Sequence, residues 1–289
     1  MRATAGRKAD AGVQMMQIRG RVLRVAVRQA SHPDHAMDTP PLLLCNGIGG
    51  SLELLQPFVD ALDPHRGVIR FDLPGIGGSP APAAPYHLLT LPPLVTGLLD
   101  QLGHPRADVL GISWGGGLAQ QLAFAHPRRV RRLVLVATGT GSLMVPARPG
   151  VMRHLLTPQR HRDPGYAARV AGAIYGGTLR ANPDRARELL HATAPKGPRR
   201  GYYYQLLAGA GWTSVPLLPR LRQPVLMLAG DDDPMIPVIN ARLMRAITPR
   251  AQLRVYPGGH LELIASPSLL APAIEAFLDT AEGDPHAYR

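Results

Sequence analysis

The sequence predicts an α/β fold, a mainly parallel central sheet flanked by helices, with an inserted and mostly helical cap. Short apolar runs alternate with helical patterns in residues 1–141 and again in residues 219–289. Such alternation is typical of βαβ units. Residues 142–218 lack it and contain several helical patches rich in Arg, Pro and Gly. We therefore assign residues 1–141 and 219–289 to the core and residues 142–218 to the cap, called the cap segment below.

The predicted strands are short, apolar and bounded by Gly, Pro or Asp, and the predicted helices are apolar at helical spacing. The strands are 13–18, 22–27, 42–45, 67–71, 108–110, 133–137, 225–229 and 253–256. The first two form a predicted hairpin across Gly20. The helices are 52–62, 88–102, 118–125, 239–247 and 269–278. Residues 31–40 are predicted as a loop, and residues 281–289 as a mobile tail.

The formal net charge of +12 raises the question of a nucleic-acid partner, but the distribution of charge argues against one. Only Lys8 and Lys196 are lysines, the arginines are scattered, and no basic run is interleaved with aromatic residues. The densest arginine group, at residues 128–132, follows the predicted helix 118–125. We interpret it as a solvated face that complements the carboxyl end of that helix, with attraction to an anionic surface as the alternative.

Other bulk features predict a cytoplasmic protein that does not span a membrane. No apolar run reaches the roughly 18 residues that a membrane span needs. Residues 1–10 are basic and polar, and no apolar stretch of a secretory signal follows them. Cys45 is the single cysteine and falls in a predicted buried strand, so we expect a core residue rather than a reactive thiol.

The pentapeptide Gly111-Ile112-Ser113-Trp114-Gly115 stands between a predicted strand and a predicted helix. A serine at the apex of such a sharp turn is the context of the nucleophile elbow. The helix amino terminus behind it favours negative charge. The alternative is a glycine-rich turn with an incidental serine, because short motifs produce false matches.

A serine nucleophile needs a histidine base and an acid that orients the base. After an elbow of this kind the acid and then the histidine follow in the chain. No Asp or Glu occurs between Val130 and Arg162, whereas three aspartates follow the strand 225–229. We favour Asp233 as the acid and expect Asp231 and Asp232 to cap the loop or face solvent.

The histidine is predicted to be His260. Only His260 and His286 follow the aspartates, and His286 lies in the tail. His260 ends the run Pro257-Gly258-Gly259-His260 directly after a predicted strand. The nine histidines from His32 to His191 are interpreted as surface or local structural residues.

Two backbone N–H groups are expected to hold the negative oxygen of the reaction intermediate. One belongs to Trp114, the residue after the nucleophile, and the other comes from the loop after strand 42–45. In that loop, residues 46–50, Ile48 is the predicted donor and the surrounding glycines allow close approach of the backbone. The loop lacks the lysine and the spacing of a phosphate-binding loop. No metal cluster is evident, and we expect no cofactor.

Longer stretches resemble the intracellular medium-chain-length polyhydroxyalkanoate depolymerases, which are serine hydrolases with the α/β-hydrolase fold. The resemblance extends from about residue 20 to 278, including the cap segment. It is carried by residues 46–54, 72–79, 113–121, 174–177, 201–206, 211–214 and 231–237. The departures are the arginine-rich surface, the proline-rich segment 81–85, and Tyr204 where the family usually has Trp.

The resemblance implies hydrolysis of a 3-hydroxyacyl polyester, a possible storage-granule location, and the third aspartate, Asp233, as the acid. We expect the alkyl side chain of the substrate in an apolar pocket under the cap. The candidates for its lining are Met144, Val145, Tyr175, Trp212 and Ile236. Three other functions stay open: a general carboxylesterase or lipase on small acyl esters, an acyltransferase, and a ligand receptor with little turnover.

Overall fold

The structure is a computed structural model that describes residues 12–30, 39–191 and 196–280. The predictions made for residues 1–10, for most of the loop 31–40 and for the tail with His286 lie outside the described residues. No helix in the described ranges is long and apolar enough to cross a membrane.

One mixed sheet forms the centre of the described structure. Its strands are β1 (Val13–Ile18), β2 (Arg21–Arg28), β3 (Leu42–Cys45), β4 (Val68–Phe71), β5 (Ala107–Ile112), β6 (Val130–Val136), β7 (Val225–Gly230) and β8 (Ala251–Tyr256). Their spatial order is β1-β2-β4-β3-β5-β6-β7-β8. The β1–β2 hairpin and the β2–β4 pair are antiparallel, and every pair from β4 to β8 is parallel. The predicted α/β fold is therefore confirmed.

Helices cover both faces of the sheet. They are α1 (Gln56–Ala61), α2 (Pro92–Gln101), α3 (Trp114–Ala125), α4 (Pro149–Leu155), α5 (Gln159–Arg162), α6 (Pro164–Tyr175), α7 (Gly177–Ala181), α8 (Asp184–His191), α9 (Arg199–Gly209), α10 (Ile239–Ile247), α11 (Glu262–Ala265) and α12 (Pro267–Asp279). Alternate residues of the central strands point to opposite faces. Leu42 and Leu44 pack with α1 and α12, whereas Leu43 and Cys45 pack with α2 and α3. The interpretation of Cys45 as a core residue is thus confirmed.

Local chain chemistry explains three differences from the predicted elements. The predicted helices 52–62 and 88–102 each begin with a 3-10 turn, Leu52–Leu55 and Leu88–Thr90, before α1 and α2. In each case a proline occupies the first turn of the α-helix, where its missing N–H costs nothing. Helix α3 begins four residues earlier than predicted. The prediction began at Leu118 because residues 115–117 are glycines, which have a low helix propensity. The short helix α11 was not predicted.

The prediction of a solvated arginine face was wrong for Arg131 and Arg132. Both belong to strand β6, not to the end of helix α3. Arg131 forms two hydrogen bonds to the buried Asp108 carboxylate, at 2.8 and 2.5 Å. Buried Arg132 donates to the Leu278 carbonyl, near the carboxyl end of α12, where helix carbonyls lack internal partners. Arg128 is exposed, as expected.

Helices α4 to α9 lie between β6 and β7, within residues 142–218. The two ends of this segment meet, because Gly141 and Thr213 form an isolated antiparallel bridge. The Ser142 N–H donates to the Trp212 carbonyl at 2.8 Å next to that bridge. The residues that begin and end the cap segment therefore lie next to each other.

Candidate active site

Ser113 occupies the sharp turn between β5 and α3 and has φ 55° and ψ −122°. A positive φ is rare for a residue with a side chain and costs roughly 1–3 kcal/mol. The turn also depends on two glycines. A Cβ atom on Gly111 would lie 2.4 Å from the Gly115 carbonyl oxygen, and one on Gly115 would lie 2.1 Å from the Cys45 oxygen. The predicted elbow therefore has a steric basis.

Neighbouring strand β6 holds the strained serine in place. The Ser113 N–H donates to the Val136 carbonyl at 2.9 Å, and the Thr138 hydroxyl donates to the Ser113 carbonyl at 2.7 Å. These two hydrogen bonds fix the backbone on either side of the Ser113 side chain.

The structure brings the three predicted residues of the triad together. His260 Nε2 lies 2.9 Å from Ser113 Oγ, and His260 Nδ1 lies 2.8 Å from Asp233 Oδ2. The side chains of His260 and Asp233 are buried. The other carboxylate oxygen, Asp233 Oδ1, accepts the N–H groups of Met235 and Ile236 at 2.8 and 2.9 Å. Both oxygens of the Asp233 carboxylate thus have hydrogen-bond partners.

The first two aspartates of the triplet have structural roles. Exposed Asp231 accepts the Gly258 N–H at 2.9 Å in the loop that leads to His260. Asp232 accepts the Gly177 N–H at 2.7 Å and forms an ion pair with Arg180 of α7. The Arg180 guanidinium, through its hydrogen bond, lowers the pKa of Asp232. Both therefore stabilise the loops around the triad.

The cap segment holds the histidine loop directly. The His260 N–H donates to the Tyr175 carbonyl at 2.7 Å, and the two side-chain rings stack with centroids 6.5 Å apart. Buried Glu262 accepts the N–H groups of Gly259 and Thr178 at 3.2 and 2.7 Å and the Thr178 hydroxyl at 2.8 Å. The junction of α6 and α7 is thus hydrogen-bonded to the turn that carries His260.

Three N–H groups of the loop 46–50 have acceptors within the protein. The Gly47 N–H donates to Asn46 Oδ1, the Gly49 N–H to Gln205 Oε1, and the Gly50 N–H to the Gly47 carbonyl. Among the described residues, no acceptor takes the N–H of Ile48 or of Trp114. The two predicted donors are thus among the backbone groups that remain available for an oxygen of a ligand.

Gln205 of α9 connects both donor segments, a role that the sequence did not indicate. Its side-chain oxygen accepts the Gly49 N–H at 2.7 Å, and its backbone carbonyl accepts the Trp114 indole N–H at 2.9 Å. Gln205 is completely buried. The cap segment therefore positions the loop with Ile48 as well as the loop with His260.

A small chamber opens at Ser113 and His260. Most of the other lining residues are apolar, and Tyr175 is the one lining candidate from the sequence that borders it. The lining comprises Asn46, Gly47, Ile48, Leu54, Ile112, Ser113, Arg160, His161, Tyr175, Leu190, Met235, His260, Leu261 and Ile264. About 30 Å³ is open to the centre of a water molecule, which is room for about two waters.

The structure places the other four lining candidates elsewhere, which corrects their predicted location. Trp212 is buried, and its indole N–H donates to Gln121 at 2.9 Å. Val145 is partly exposed and its backbone pairs with Asn240. Ile236 belongs to the acid loop and packs on the core. Met144 begins the cap segment, where its N–H donates to the Gly141 carbonyl. Apolar character alone did not predict which of these residues border the chamber.

Two basic residues of α5, Arg160 and His161, border the chamber, and the sequence did not predict this position for them. His161, interpreted from the sequence as a surface or local residue, has its Nε2 buried without a partner among the described residues. Burial keeps the pKa of His161 well below its ordinary value, so its imidazole is neutral. Arg160 is buried although arginine is rarely buried, so composition could not have indicated it.

This arrangement can support attack on an acyl carbon. A hydroxyl within hydrogen-bond distance of an imidazole, a buried carboxylate that orients this imidazole, and two backbone N–H groups without acceptors are the parts that acyl transfer requires. Within the described ranges, no group of three or more metal-binding side chains comes together.

Comparison with known proteins identifies the family. The profile of the alpha/beta hydrolase fold matches residues 40–267. Over 254 residues the chain is 46% identical to the poly(3-hydroxyalkanoate) depolymerase of Ectopseudomonas oleovorans, covering 88% of this chain and 89% of that protein. It is 28% identical over 241 residues to 3-oxoadipate enol-lactonase 2 of Acinetobacter baylyi, covering 83% and 89% of the two chains.

A solved structure supports the same fold. The enol-lactonase from Burkholderia xenovorans LB400 superposes with a TM-score of 0.78 at 23% identity, covering 92% of this chain and all of that one. The identity to the depolymerase and the profile match lead to one conclusion. The chain belongs to the α/β-hydrolase family and, within it, to the branch of ester hydrolases that contains the poly(3-hydroxyalkanoate) depolymerase.

Proposed function

We propose that this chain hydrolyses the ester bonds of a medium-chain poly(3-hydroxyalkanoate) through an acyl-enzyme on Ser113. One observation carries the proposal: the hydrogen-bonded series Ser113–His260–Asp233 opens into an apolar chamber in a chain that is 46% identical to such a depolymerase. The series supplies a nucleophile, and the chamber supplies a place for an alkyl side chain.

In the first step of this mechanism, Ser113 Oγ bonds to the ester carbonyl carbon while His260 Nε2 takes the hydroxyl proton. The Asp233 carboxylate stabilises the imidazolium that forms. The N–H groups of Ile48 and Trp114 hold the carbonyl oxygen as it becomes negative. His260 then gives the proton to the leaving alcohol oxygen as the carbon–oxygen bond breaks.

In the second step, a water molecule attacks the acyl-enzyme while His260 accepts one of its protons. The bond between the acyl carbon and Ser113 Oγ breaks, and the serine recovers its proton from His260. The products are an alcohol end and a carboxylic acid. No further reactant is needed.

The proposal includes a role for the cap segment and a location for the reaction. Residues 142–218 would act as the cap over the substrate, since Arg160, His161, Tyr175 and Leu190 border the chamber. The reaction would take place at a polyester granule inside the cell. The exposed Leu143, Leu156 and Leu207 of the cap segment support contact with an apolar polymer surface.

The test is product analysis on polymer suspensions with medium and short side chains. Wild-type protein is expected to release 3-hydroxy acids from the medium-chain polymer faster than from the short-chain polymer. Ser113→Ala should reduce kcat by about 10⁴-fold or more with the circular dichroism spectrum unchanged. Release of acids by Ser113→Ala at near wild-type rates would contradict the assigned nucleophile.

A small-ester carboxylesterase is the second candidate, and the size of the chamber favours it. Space for about two water molecules suits a short acyl group without movement of the cap. That function would show fast hydrolysis of p-nitrophenyl acetate or butyrate and no release of acids from either polymer. The polymer assay therefore separates the two candidates.

A further inference from the structure

Arg160 carries a buried charge that no described carboxylate balances. Its side chain is 2% exposed. It donates to the Tyr202 hydroxyl at 2.9 Å and to the carbonyls of His154 and Thr157 at 3.1 and 3.4 Å, all of them neutral acceptors. Its Nε atom is buried without an acceptor in the described ranges. Neutral acceptors leave a buried guanidinium underpaired, and that is costly in free energy.

The unbalanced charge lies in the candidate active site. Arg160 borders the same chamber as Ser113 and His260. Tyr175 borders the chamber as well: its ring stacks on His260, and the charge of Arg160 acts on its hydroxyl.

A second polar nitrogen faces the same space. His161 follows Arg160 in α5, borders the chamber, and has its buried Nε2 without a partner among the described residues. In the tautomer protonated at Nε2, the ring supplies an N–H donor. A carboxylate fits this pair, because a guanidinium binds a carboxylate through charge-assisted hydrogen bonds and an imidazole N–H can add another.

The groove beside the chamber is also basic. It shares Leu54, His161 and Leu190 with the chamber and is bordered by Arg162, Lys196 and Arg199. Its acidic member, Glu53, already pairs with Arg24. Positive charge along an approach attracts an anionic group.

We propose that Arg160, with His161, binds the free carboxylate at the end of the substrate chain. The inference rests on the proposed function and specifies which bond is cleaved. With the terminal carboxylate held by Arg160, the ester that reaches Ser113 is the one that joins the last 3-hydroxy acid to the chain. Ser113 takes the acyl carbon, His260 protonates the leaving oxygen, and the last unit leaves as a free 3-hydroxy acid. The chain is then shortened one unit at a time from its carboxyl end.

The test compares two substrates that differ by one charge. They are the linear dimer of 3-hydroxyoctanoate with a free carboxylate and the methyl ester of that dimer. The measured quantity is the ratio of kcat/KM for the acid to that for the methyl ester. Wild-type protein should favour the acid, and R160Q should lower the ratio about 10–100-fold, the effect of losing hydrogen bonds to a charged group. R160K should recover part of the ratio, because it keeps the charge.

R153Q is the matched control, since Arg153 is an exposed arginine of the adjacent helix α4 and does not border the chamber. It should leave the ratio unchanged. A wild-type ratio of one or less would overturn the inference. So would an R160Q variant in which both substrates slow by the same factor, because Arg160 would then act only on the structure of the cap segment.

Inhibition by octanoate separates failure of this inference from failure of the proposed function. The reporter is hydrolysis of p-nitrophenyl octanoate, which needs no polyester activity. A wild-type protein that cleaves this reporter but neither dimer would refute the polyester function. The carboxylate site would still stand if R160Q required at least 10-fold more octanoate for half inhibition. Equal inhibition of wild type and R160Q would overturn the site itself.

Discussion

Replacing Gln205 with leucine is expected to lower kcat strongly and the free energy of unfolding only modestly. The Gln205 side chain accepts the Gly49 N–H at 2.7 Å and so holds the loop that presents the Ile48 N–H. Leucine removes the acceptor and leaves a buried N–H unpaired, which costs about 1–3 kcal/mol. It also removes Gln205 Nε2, itself buried without a partner, so part of this cost is offset. The net loss in the free energy of unfolding should be under about 2 kcal/mol.

The effect on rate follows from the same hydrogen bond. If the loop loses about 1–3 kcal/mol of its preference for the productive position, kcat falls by about 5–150-fold. Complete loss of one oxyanion donor sets the upper limit, about 10²–10³-fold. We therefore expect a 10–100-fold decrease in kcat for p-nitrophenyl octanoate, with KM changed less than threefold. Gln205→Glu should recover part of the rate, since a carboxylate also accepts the Gly49 N–H.

Gln121→Leu is the matched control for this prediction. Buried Gln121 accepts the Trp212 indole N–H at 2.9 Å, a similar hydrogen bond between core and cap segment that does not contact the loop 46–50. It should lower stability without a comparable effect on kcat. If Gln205→Leu lowered kcat no more than Gln121→Leu does, the positioning role of Gln205 would be refuted.

Three further predictions test the site and the core. Asp233→Asn should reduce kcat about 10⁴-fold, because the amide cannot hold His260 in the productive tautomer; ester kinetics with a fold check by circular dichroism would measure this, and a loss under 10-fold would contradict the role. Burial raises the pKa of Cys45 to about 12, so the thiol should not react with DTNB in the native protein but should react fully in guanidinium chloride; reaction of the native protein would refute its burial. Asp108→Asn should lower the free energy of unfolding by about 3–5 kcal/mol in urea, because it removes the buried carboxylate that accepts two hydrogen bonds from Arg131, while kcat stays unchanged; unchanged stability would show that the pair contributes little.

The core and the triad could be predicted because each depends on local sequence. Strand β3 is one apolar run, Leu42–Cys45, and it is buried on both faces of the sheet. Its apolar composition alone therefore predicts a buried strand. Ser113 could be located because the glycines around it are required by contacts of 2.1–2.4 Å that any side chain would violate. His260 and Asp233 followed from the order of the chain and from the ends of strands β7 and β8.

The lining of the chamber could not be predicted, because helix packing within the cap segment decides it. Trp212 looked like a pocket residue because it is large and apolar, but its N–H has a partner in Gln121 and its ring packs beside Gly117 and Gly141. The arginines 131 and 132 looked solvated because the prediction placed the strand start at residue 133, three residues late. The burial of Arg160 could not be predicted, because nothing in the local sequence distinguishes a buried arginine from an exposed one.

The contacts between the cap segment and the triad loops limit how the chamber can enlarge. A medium-length alkyl chain needs more space than two water molecules occupy, so it must extend into the neighbouring groove or part of the cap segment must move when such a substrate binds. The residues around the α6–α7 junction are poor candidates, because the Tyr175 carbonyl holds the His260 N–H and Glu262 holds Thr178. Movement of these junction residues would displace His260. Substitutions at this junction should therefore change kcat, whereas substitutions on the side of the chamber formed by Leu190 should mainly change KM and the preferred length of the acyl chain.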